Sequence, residues 1–346
     1  MVNAVIIGHG QATPPAMAQE ELWRGHFKAA STGDGRAERI FLGAGVTTRH
    51  GAINPATDDI SQWSTARRMR EYERLALPLA RHALTTALAD AGLTADRLGL
   101  LAVVSCTGYA TPGLDITLAA ELGASADMQR VVIGHMGCYA AIPGLGVVAD
   151  HVRRHGRPAA LLCVELTSLH LQPGPLDTEQ LIAHALFSDA AACVIVAPDD
   201  PRGDGLTVDA IGSRTDTAHA DAMTWHVTDH GFRMGLAGRV PIVLSRHLPA
   251  AVGALLKPRD LVIDDIDAWA IHPGGRRILD TARTALAIDE DQLTVSRGVL
   301  AEHGNCSSAT VLMIIDRLRR ERPRELVACA FGPGLTVYSA LLRREG

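Results

Sequence analysis

Short apolar runs alternate along most of the chain with stretches of helical periodicity, and this alternation constrains the fold more than any other feature. Such runs are typical of buried strands, and the longer stretches place apolar residues on one helix face. Strands are predicted at 2–7, 99–105, 129–133, 159–164, 191–197, 206–211, 268–271, 326–331 and 336–342. Helices are predicted at 67–92, 138–155, 176–186, 239–256, 274–286 and 304–322. The pattern predicts an α/β fold whose sheet faces are covered by helices.

The stretch APDDPRGDG, residues 197–205, is the clearest linker, because proline and glycine interrupt an acidic run. On each side of it, a strand ends near a reactive residue and leads into a helix. We therefore predict two halves: residues 1–200, which contain Cys138, and residues 206–346, which contain His272 and Asn305. The proposed duplication rests on the order of elements, since the two halves show little sequence similarity.

Composition argues against several classes of function. The net charge is -5, no basic stripe is present and aromatic residues make up only 4% of the chain, so no nucleic acid partner is expected. The N-terminus lacks the basic segment and long apolar run of a signal peptide, so we expect a cytoplasmic protein without a membrane segment. The six cysteines form no CxxC pair, which argues against a disulfide framework or a metal site.

Cys138 lies where a predicted strand turns into a predicted helix. Free backbone N–H groups at a helix start favour an anion, so this position is expected to lower the pKa of the thiol. Gly137 permits a tight turn immediately before it. The alternative is a small buried core residue, which is what most free cysteines are.

Two later segments hold polar residues at comparable junctions. In WAIHPGG, residues 269–275, His272 ends an apolar strand, and proline and glycine then break the chain. In HGNCSS, residues 303–308, Asn305 precedes an apolar helix, where the alternative role is an N-cap. A thiol, an imidazole and an amide together suit thioester chemistry, because a thiolate can form an acyl enzyme while N–H donors hold the carbonyl oxygen.

These segments, together with SCTGYATPGLD (105–115) and GPGLTVYSALLRRE (332–345), resemble the type III polyketide synthases, the chalcone synthase-like enzymes. The resemblance extends over nearly the whole chain. It implies a thiolase fold of two related halves in a five-layered αβαβα arrangement, acting as a homodimer. It also implies that Cys138 accepts an acyl group from coenzyme A and that malonyl-CoA is decarboxylated and condensed with it. His272 and Asn305 would stabilise the enolate, with no metal or organic cofactor.

The resemblance also implies a set of pocket residues. Phe187 corresponds to a phenylalanine at the mouth of the active site. Arg49 is the one basic residue of segment 41–53, where the family commonly has several lysines and arginines; it is a candidate contact for a CoA phosphate, and the alternative is a solvated surface arginine. The further predicted pocket residues are Cys106, Thr107, Thr111, His170, Trp225, Phe232, Met234, Ser307, Gly332, Pro333 and Gly334. Glu165 is given no catalytic role, because a buried network at a strand end explains it.

Some of these positions depart from the plant enzymes of the family. Met234 replaces a second phenylalanine at the mouth, while Trp225 replaces a glycine and His170 replaces a threonine. The added bulk predicts a pocket that cannot hold a chalcone-sized product in the same direction. Cys106 matches a pocket cysteine of bacterial members. The expected product is therefore a small polyhydroxy aromatic or a pyrone.

Other functions remain open from the sequence. One alternative is a single condensation or acyl transfer that uses acyl carrier protein thioesters, as in the ketoacyl synthase III branch. Another is a thiolase-fold protein that binds acyl-CoA without turnover, an alternative that the change at Met234 leaves open. A cysteine protease also uses Cys, His and Asn, but the FGPG loop at 331–334 has no place in one.

Overall fold

The computed structural model describes residues 2–31 and 34–344. The strands are β1 (Val5–Ala12), β2 (Ala16–Ala18), β3 (Thr48–His50), β4 (Leu100–Ser105), β5 (Gln129–Gly134), β6 (Ala159–Glu165), β7 (Ala190–Ala197), β8 (Leu206–Thr215), β9 (Met223–Thr228), β10 (Gly231–Leu236), β11 (Ala268–Ile271), β12 (Glu325–Gly332) and β13 (Thr336–Arg343). The α-helices are α1 (Gln19–Leu22), α2 (Lys28–Ala30), α3 (Gly35–Leu42), α4 (Thr65–Ala91), α5 (Leu114–Glu121), α6 (Ala141–His155), α7 (Thr178–Leu186), α8 (Val240–Leu256), α9 (Arg276–Leu286), α10 (Thr294–His303) and α11 (Ala309–Arg319). A π-helical turn, Trp23–Phe27, joins α1 to α2.

Nine strands form one sheet in the order β11-β12-β13-β8-β1-β7-β6-β4-β5. In the N-terminal part, β4 and β6 are parallel, β6 and β7 antiparallel, and β7 and β1 antiparallel. In the C-terminal part, β11, β12, β13 and β8 repeat this order and these directions. The two parts join through a short antiparallel contact between β1 and β8. The repeated topology is what a duplicated α/β unit produces.

The core divides into layers around the sheet. One cluster packs α6 and α11 between the two parts of the sheet. A second covers the outer face of the N-terminal part with α4 and α5, and a third covers the outer face of the C-terminal part with α8 and α9. The order is helix, sheet, helix, sheet, helix, which is the five-layered arrangement expected from the resemblance.

Each predicted strand and helix overlaps an observed element, but some boundaries differ: the strand predicted at 2–7 is β1 at Val5–Ala12, and the helix predicted at 304–322 is α11 at Ala309–Arg319. The strand predicted at 268–271 is β11, and the helix predicted at 239–256 begins one residue later as α8. The linker at 197–205 connects β7 to β8. The hairpin of β9 and β10 was not predicted, because its mixed polar and apolar residues give no clear period. The division into halves at 1–200 and 206–346 stays a prediction. Both halves include terminal residues that lie outside the described residues, namely Met1, Glu345 and Gly346.

The helical segment Val240–Arg259, which consists of α8 and the 3-10 turn after it, is long and apolar enough by composition to cross a membrane. Its buried side chains, among them Val243, Leu244, Leu248 and Val252, pack instead in the core cluster shared with α9 and the sheet. This packing is that of a core helix.

The contact between β1 and α4 gives a direct test of the fold. A Cβ atom on Gly10 would overlap the backbone oxygen of Ala83 and lie 2.5 Å from the nitrogen of Ala87. We expect Gly10→Ala to lower the free energy of unfolding by about 1–3 kcal/mol, as overpacking does. The matched control is Gly253→Ala, where no atom lies within 4 Å of the new Cβ, and helix propensity should stabilise the protein by up to about 1 kcal/mol. Denaturant unfolding of both variants measures the difference, and equal stabilities would contradict the packing of β1 on α4.

Candidate active site

Cys138 lies in the turn between β5 and α6, three residues before the helix begins. Gly137 precedes it with φ +91°, and a Cβ on Gly137 would lie 2.5 Å from Cδ of Pro333. The N–H of Gly137 donates to Sγ of Cys106 at 3.0 Å. Only glycine fits this turn, so backbone geometry fixes where the thiol lies.

The Cys138 thiol is 8% exposed. Burial raises its pKa to about 12, while hydrogen bonds from the side chains of Ser307 and Asn305 act in the opposite direction. Burial of the thiol therefore opposes the lowering of its pKa that the sequence predicts from the helix start. A thiolate at this position needs a further positive charge or donor.

His272 directly follows β11, and its backbone N–H donates to the carbonyl of Cys329 at 2.8 Å, which extends the pairing with β12. The side chain is 1% exposed, and neither ring nitrogen has a hydrogen-bond partner in the protein. Burial lowers the pKa of the imidazole to about 3, so the ring alone is neutral. A buried polar ring without a partner is costly to keep, and it points to a bound group that accepts or donates there.

Asn305 lies in the loop between α10 and α11 and is 2% exposed. It is not the N-cap of α11, because that position is Ser308 and Asn305 lies outside the helix. Its N–H donates to the carbonyl of Leu186 at 2.8 Å, and its Oδ1 accepts from the N–H of Ser307 at 2.9 Å. The amide oxygen is thus held by the backbone, and Nδ2 is the atom left to donate to the thiol.

One cavity of about 630 Å³ contains Cys138, His272 and Asn305 in its wall. Predominantly apolar side chains line it between α3, α7, the β9–β10 hairpin and the start of α8, including Ile40, Ile182, Leu186, Phe187, Met223, Met234, Leu236, Val240 and Phe331. The predicted mouth residues Phe187 and Met234 both belong to this wall. Phe187 also forms an isolated bridge with Asn305, so the aromatic ring and the amide are placed by one backbone contact.

The cavity is also bordered by Arg36, Arg39, Arg276 and Arg277, and all four side chains are exposed. Within the described part of the chain, no carboxylate lies within ion-pair distance of Arg39, Arg276 or Arg277. Uncommitted guanidinium groups at the mouth of an apolar cavity suit a ligand with phosphate at one end. Sequence analysis missed these four arginines, although RAER at 36–39 and GGRR at 274–277 are basic pairs that could have indicated them.

The predicted phosphate contact at Arg49 does not agree with where the structure places that residue. Arg49 is 5% exposed and donates to the carbonyls of His184 and Phe187. It lies against the rings of Phe27 and Phe41 and does not line the large cavity. The sequence could not show this, because three-residue strand β3 gives no burial pattern.

The three bulky residues His170, Trp225 and Phe232 form one aromatic cluster and do not line the large cavity. His170 stacks on Phe232 with ring centroids 4.4 Å apart. Its Nδ1 accepts the N–H of Phe232 at 2.9 Å, so Nε2 donates to the carbonyl of Thr107 at 2.7 Å. The indole N–H of Trp225 donates to the carbonyl of Cys106 at 2.8 Å. The polar ring atoms of His170 and Trp225 thus bond to the backbone, and the two rings fill the space beside Cys106 and Thr107.

A buried hydrogen-bond network around the Glu165 carboxyl group lies beside Cys138. Glu165, 0% exposed, accepts from the N–H of Cys106 at 2.9 Å, the hydroxyl of Thr107 at 2.8 Å and the hydroxyl of Ser308 at 2.5 Å. Burial raises its pKa, and these bonds, with one from Ser307, lower it. Glu165 therefore connects the loop after β4 to the loop before α11. Ser307 adopts φ +50° and interacts with both Glu165 and Cys138.

The remaining predicted residues differ in their distance from the thiol. Gly332 packs so closely that a Cβ there would lie 2.7 Å from the ring of Tyr139 and 3.5 Å from the backbone nitrogen of Cys138. Pro333 contacts Gly137, and Gly334 has φ +128° in the turn between β12 and β13. Thr111, in contrast, is exposed beside a cis bond to Pro112 and does not line the cavity of its own chain.

Comparisons with known proteins agree with this architecture. Residues 3–201 match the chalcone and stilbene synthase N-terminal domain, and residues 215–345 match the corresponding C-terminal domain. The chain is 37% identical over 320 residues to 1,3,6,8-tetrahydroxynaphthalene synthase of Streptomyces peucetius subsp. caesius, covering 88% of this chain and 82% of the relative. It is 31% identical over 322 residues to the alpha-pyrone synthesis polyketide synthase-like Pks18 of Mycobacterium tuberculosis, covering 88% and 81%.

Solved structures show the same fold. The brown algal enzyme PKS-I of Ectocarpus siliculosus superposes with a TM-score of 0.94 at 27% identity, covering 100% of this chain and 99% of that one. 1,3,6,8-Tetrahydroxynaphthalene synthase of Streptomyces coelicolor A3(2) gives 0.92 at 28% identity, covering 99% of both chains. The predicted thiolase fold is confirmed. The chain belongs to the chalcone and stilbene synthase family and is a type III polyketide synthase, a condensing acyltransferase.

Proposed function

We propose that this enzyme loads an acyl group from coenzyme A onto Cys138, extends it with malonyl-CoA by decarboxylative Claisen condensation, and cyclizes the chain to a small polyhydroxy aromatic or a pyrone. The observation that carries the proposal is His272, whose buried ring nitrogens have no protein partner and which shares one cavity with the thiol and with Asn305. Donors kept free in a buried site suit an oxygen that becomes negatively charged during reaction.

The cavity suits a coenzyme A thioester along its length. Arg36, Arg39, Arg276 and Arg277 border the mouth, where guanidinium groups can bind phosphate oxygens in pairs. The largely apolar walls suit the uncharged pantetheine arm, and they lead to Cys138. In this proposal, acyl-CoA and malonyl-CoA use the same passage in turn.

Loading begins with proton transfer from Cys138 to His272. The resulting imidazolium and thiolate stabilise each other, which offsets the burial that otherwise keeps each group neutral. Sγ attacks the thioester carbonyl, and the N–H groups of Asn305 and His272 hold the oxyanion. The carbon–sulfur bond to coenzyme A then breaks, and His272 returns its proton to the departing CoA thiolate.

Extension uses the same donors in a neutral site. Once Cys138 is acylated it carries no charge, and burial keeps His272 a neutral N–H donor. The malonyl carbon–carboxylate bond breaks, carbon dioxide leaves, and the electron pair becomes an enolate whose oxygen is held by His272 and Asn305. The enolate carbon attacks the acyl thioester, and the Cys138 thiolate leaves, so the lengthened chain is carried on coenzyme A.

Phe187 and Met234 act on the carboxylate of malonyl-CoA. Both line the cavity beside the catalytic groups, and neither can hydrogen-bond an anion. An apolar neighbour disfavours the carboxylate relative to neutral carbon dioxide, so it favours the loss. Met234 supplies this contact without the flat ring of the usual phenylalanine.

We further propose that product size is limited by the aromatic cluster of His170, Trp225 and Phe232. The cluster occupies the side of the site next to Cys106 and Thr107, and hydrogen bonds fix two of its rings. Similar relatives are named for tetrahydroxynaphthalene and alpha-pyrone synthesis, both small products.

The proposed reaction requires no metal or organic cofactor and takes place in the cytoplasm. An acyl carrier protein is a second candidate for the acyl donor.

A homodimer is proposed through the exposed edge of the sheet. Strand β5 ends the strand order, and Val132 on it is 57% exposed. Ile116 on the adjacent helix α5 and Tyr109 in the loop after β4 are 44% and 65% exposed. An unpaired apolar edge strand is a template for pairing with a second copy, and a two-fold axis would pair β5 with itself.

The nucleophile is tested by acyl transfer. Incubation with malonyl-CoA and a panel of acyl-CoA starters should release carbon dioxide and yield pyrones or phenolic aromatics, with an acyl adduct detected on the intact protein by mass spectrometry. Cys138→Ala should lose both the adduct and the products, whereas Cys193→Ala, a core thiol on β7, should keep them. An adduct that persists in Cys138→Ala, or no carbon dioxide from any pair, would contradict the proposal.

The proton transfer predicts a change in thiol reactivity. In His272→Gln, burial should raise the Cys138 pKa without a compensating imidazolium, so alkylation by iodoacetamide at pH 7 should slow about tenfold or more. In the variant, the alkylation rate should keep rising with pH beyond pH 10, since a thiol pKa of about 12 moves thiolate formation to higher pH. His155→Gln, at the end of α6, is the control. Equal alkylation rates at pH 7 would show that His272 does not supply the charge.

The dimer predicts a strict dependence on β5. Val132→Lys should convert the protein from dimer to monomer in sedimentation equilibrium, because a lysine at the pairing edge leaves charge in the interface. Val227→Lys is the matched control, since Val227 is 71% exposed on β9, away from this edge. A wild-type monomer, or a dimer unaffected by Val132→Lys, would refute the proposed interface.

A further inference from the structure

Side chains, rather than a neighbouring strand, bind the outer edge of β10. Within the described part of the chain, β9 and β10 form a separate sheet of two strands, and a hairpin alone is only marginally stable in water. The N–H groups of Phe232 and Leu236 face away from β9, because they donate to Nδ1 of His170 at 2.9 Å and Oε2 of Glu179 at 3.4 Å. Alternation along an antiparallel pair gives the backbone groups of Met234 the same direction. The position of β10 therefore depends on side chains from outside the hairpin.

Gln180 binds the middle of this edge. Its side chain is 2% exposed, and Nε2 donates to the carbonyl of Met234 at 2.5 Å. The backbone of Gln180 is fixed in turn, because it is the third residue of α7 and its N–H donates to Asp177, the N-cap, at 2.9 Å. An ion pair between Asp177 and Arg233 also links α7 to β10, but both side chains are exposed, so this pair contributes little. The buried amide is thus the stronger constraint on β10 at Met234.

Helix α7 consequently holds both predicted residues of the cavity mouth. The helix ends at Leu186, and Phe187 is its C-cap residue. Gln180, two turns earlier, binds Met234 to the same helix. Phe187 and Met234 both line the cavity that contains Cys138. The spacing between these two side chains is therefore set by one helix and one buried hydrogen bond.

We propose that Gln180 is a positioning residue, which sets the gap between Phe187 and Met234 and thereby orients the malonyl group for loss of carbon dioxide. The inference rests on the proposed function, in which Met234 contacts the malonyl carboxylate. Gln180 does not line the cavity, so it acts only through Met234. A misplacement of about 1 Å in an active site can cost about a hundredfold in rate. Acyl loading depends on the thiol and the oxyanion donors, so it is less sensitive to this gap.

The rates of the two half-reactions provide the first test. Gln180→Met keeps the length of the side chain and removes the donor. Release of carbon dioxide from malonyl-CoA should fall about tenfold, the order of effect expected when a buried carbonyl loses its hydrogen bond. Loading of an acyl group on Cys138, followed by intact-mass spectrometry, should stay near the wild-type rate. A parallel fall in both rates, or an unchanged release of carbon dioxide, overturns the proposal.

Gln292→Met is the matched control for these rates. The amide of Gln292 also donates to a backbone carbonyl, that of Ile266, and it does not line the cavity. Both rates should therefore match the wild-type values in this variant. Should Gln180→Met fail to fold, Gln180→Asn is measured in the same way, since it keeps the amide but shortens the side chain by one methylene group.

Hydrogen exchange tests the contact without any substrate. In Gln180→Met, the amides of β10 should exchange about tenfold faster, whereas those of the core strand β6 should keep their wild-type rates. Unchanged exchange on β10 would overturn the positioning of Met234 by Gln180. A wild-type protein that releases no carbon dioxide would instead overturn the proposed function and the malonyl role with it, so the two failures are distinguishable.

Discussion

The active site depends on the packing of α6 against α11 between the two parts of the sheet. These helices belong to one core cluster, and each is preceded by a loop that carries residues predicted to be catalytic. The loop before α6 holds Cys138, and the loop before α11 holds Asn305 and Ser307. Because both helix starts meet in the middle layer, a thiol from one half of the chain receives hydrogen bonds from side chains of the other. The duplicated fold thus creates a site that neither half contains alone.

The same packing buries titratable side chains, which costs free energy unless hydrogen bonds satisfy them. Cys138, His272 and Glu165 are all titratable and at least nine-tenths buried. Glu165 is satisfied by donors from two loops, whereas the His272 ring keeps its nitrogens unsatisfied. The hydrogen bonds of Glu165 therefore hold the loops in place, whereas the ring nitrogens of His272 are left to bind a ligand. The large apolar core around them offsets the cost of leaving His272 without a partner.

Sequence patterns predicted most of the regular structure and the three central residues, because those features are local. A buried strand is apolar throughout, as in β6 and β7, and a strand that ends in His-Pro-Gly-Gly marks its own boundary. The burial of a short segment, in contrast, depends on residues that are distant in the sequence. Arg39 and Arg49 are close together in the sequence, yet Arg49 is covered by Phe27, Phe41 and His184 and Arg39 is exposed at the cavity. The raised pKa of Cys138 is likewise a property of distant residues that exclude water.

The shape of the site follows from strand register as much as from residue identity. In the β9–β10 hairpin, Met234 pairs directly with Trp225, so a wall residue of the large cavity and a member of the aromatic cluster occupy opposed positions on neighbouring strands. Phe232 lies two residues before Met234, on the same strand face, and stacks on His170. A one-residue slip would turn all three side chains to the other face. Trp225 therefore places an aromatic surface opposite Met234, the position at which the resemblance implies a phenylalanine.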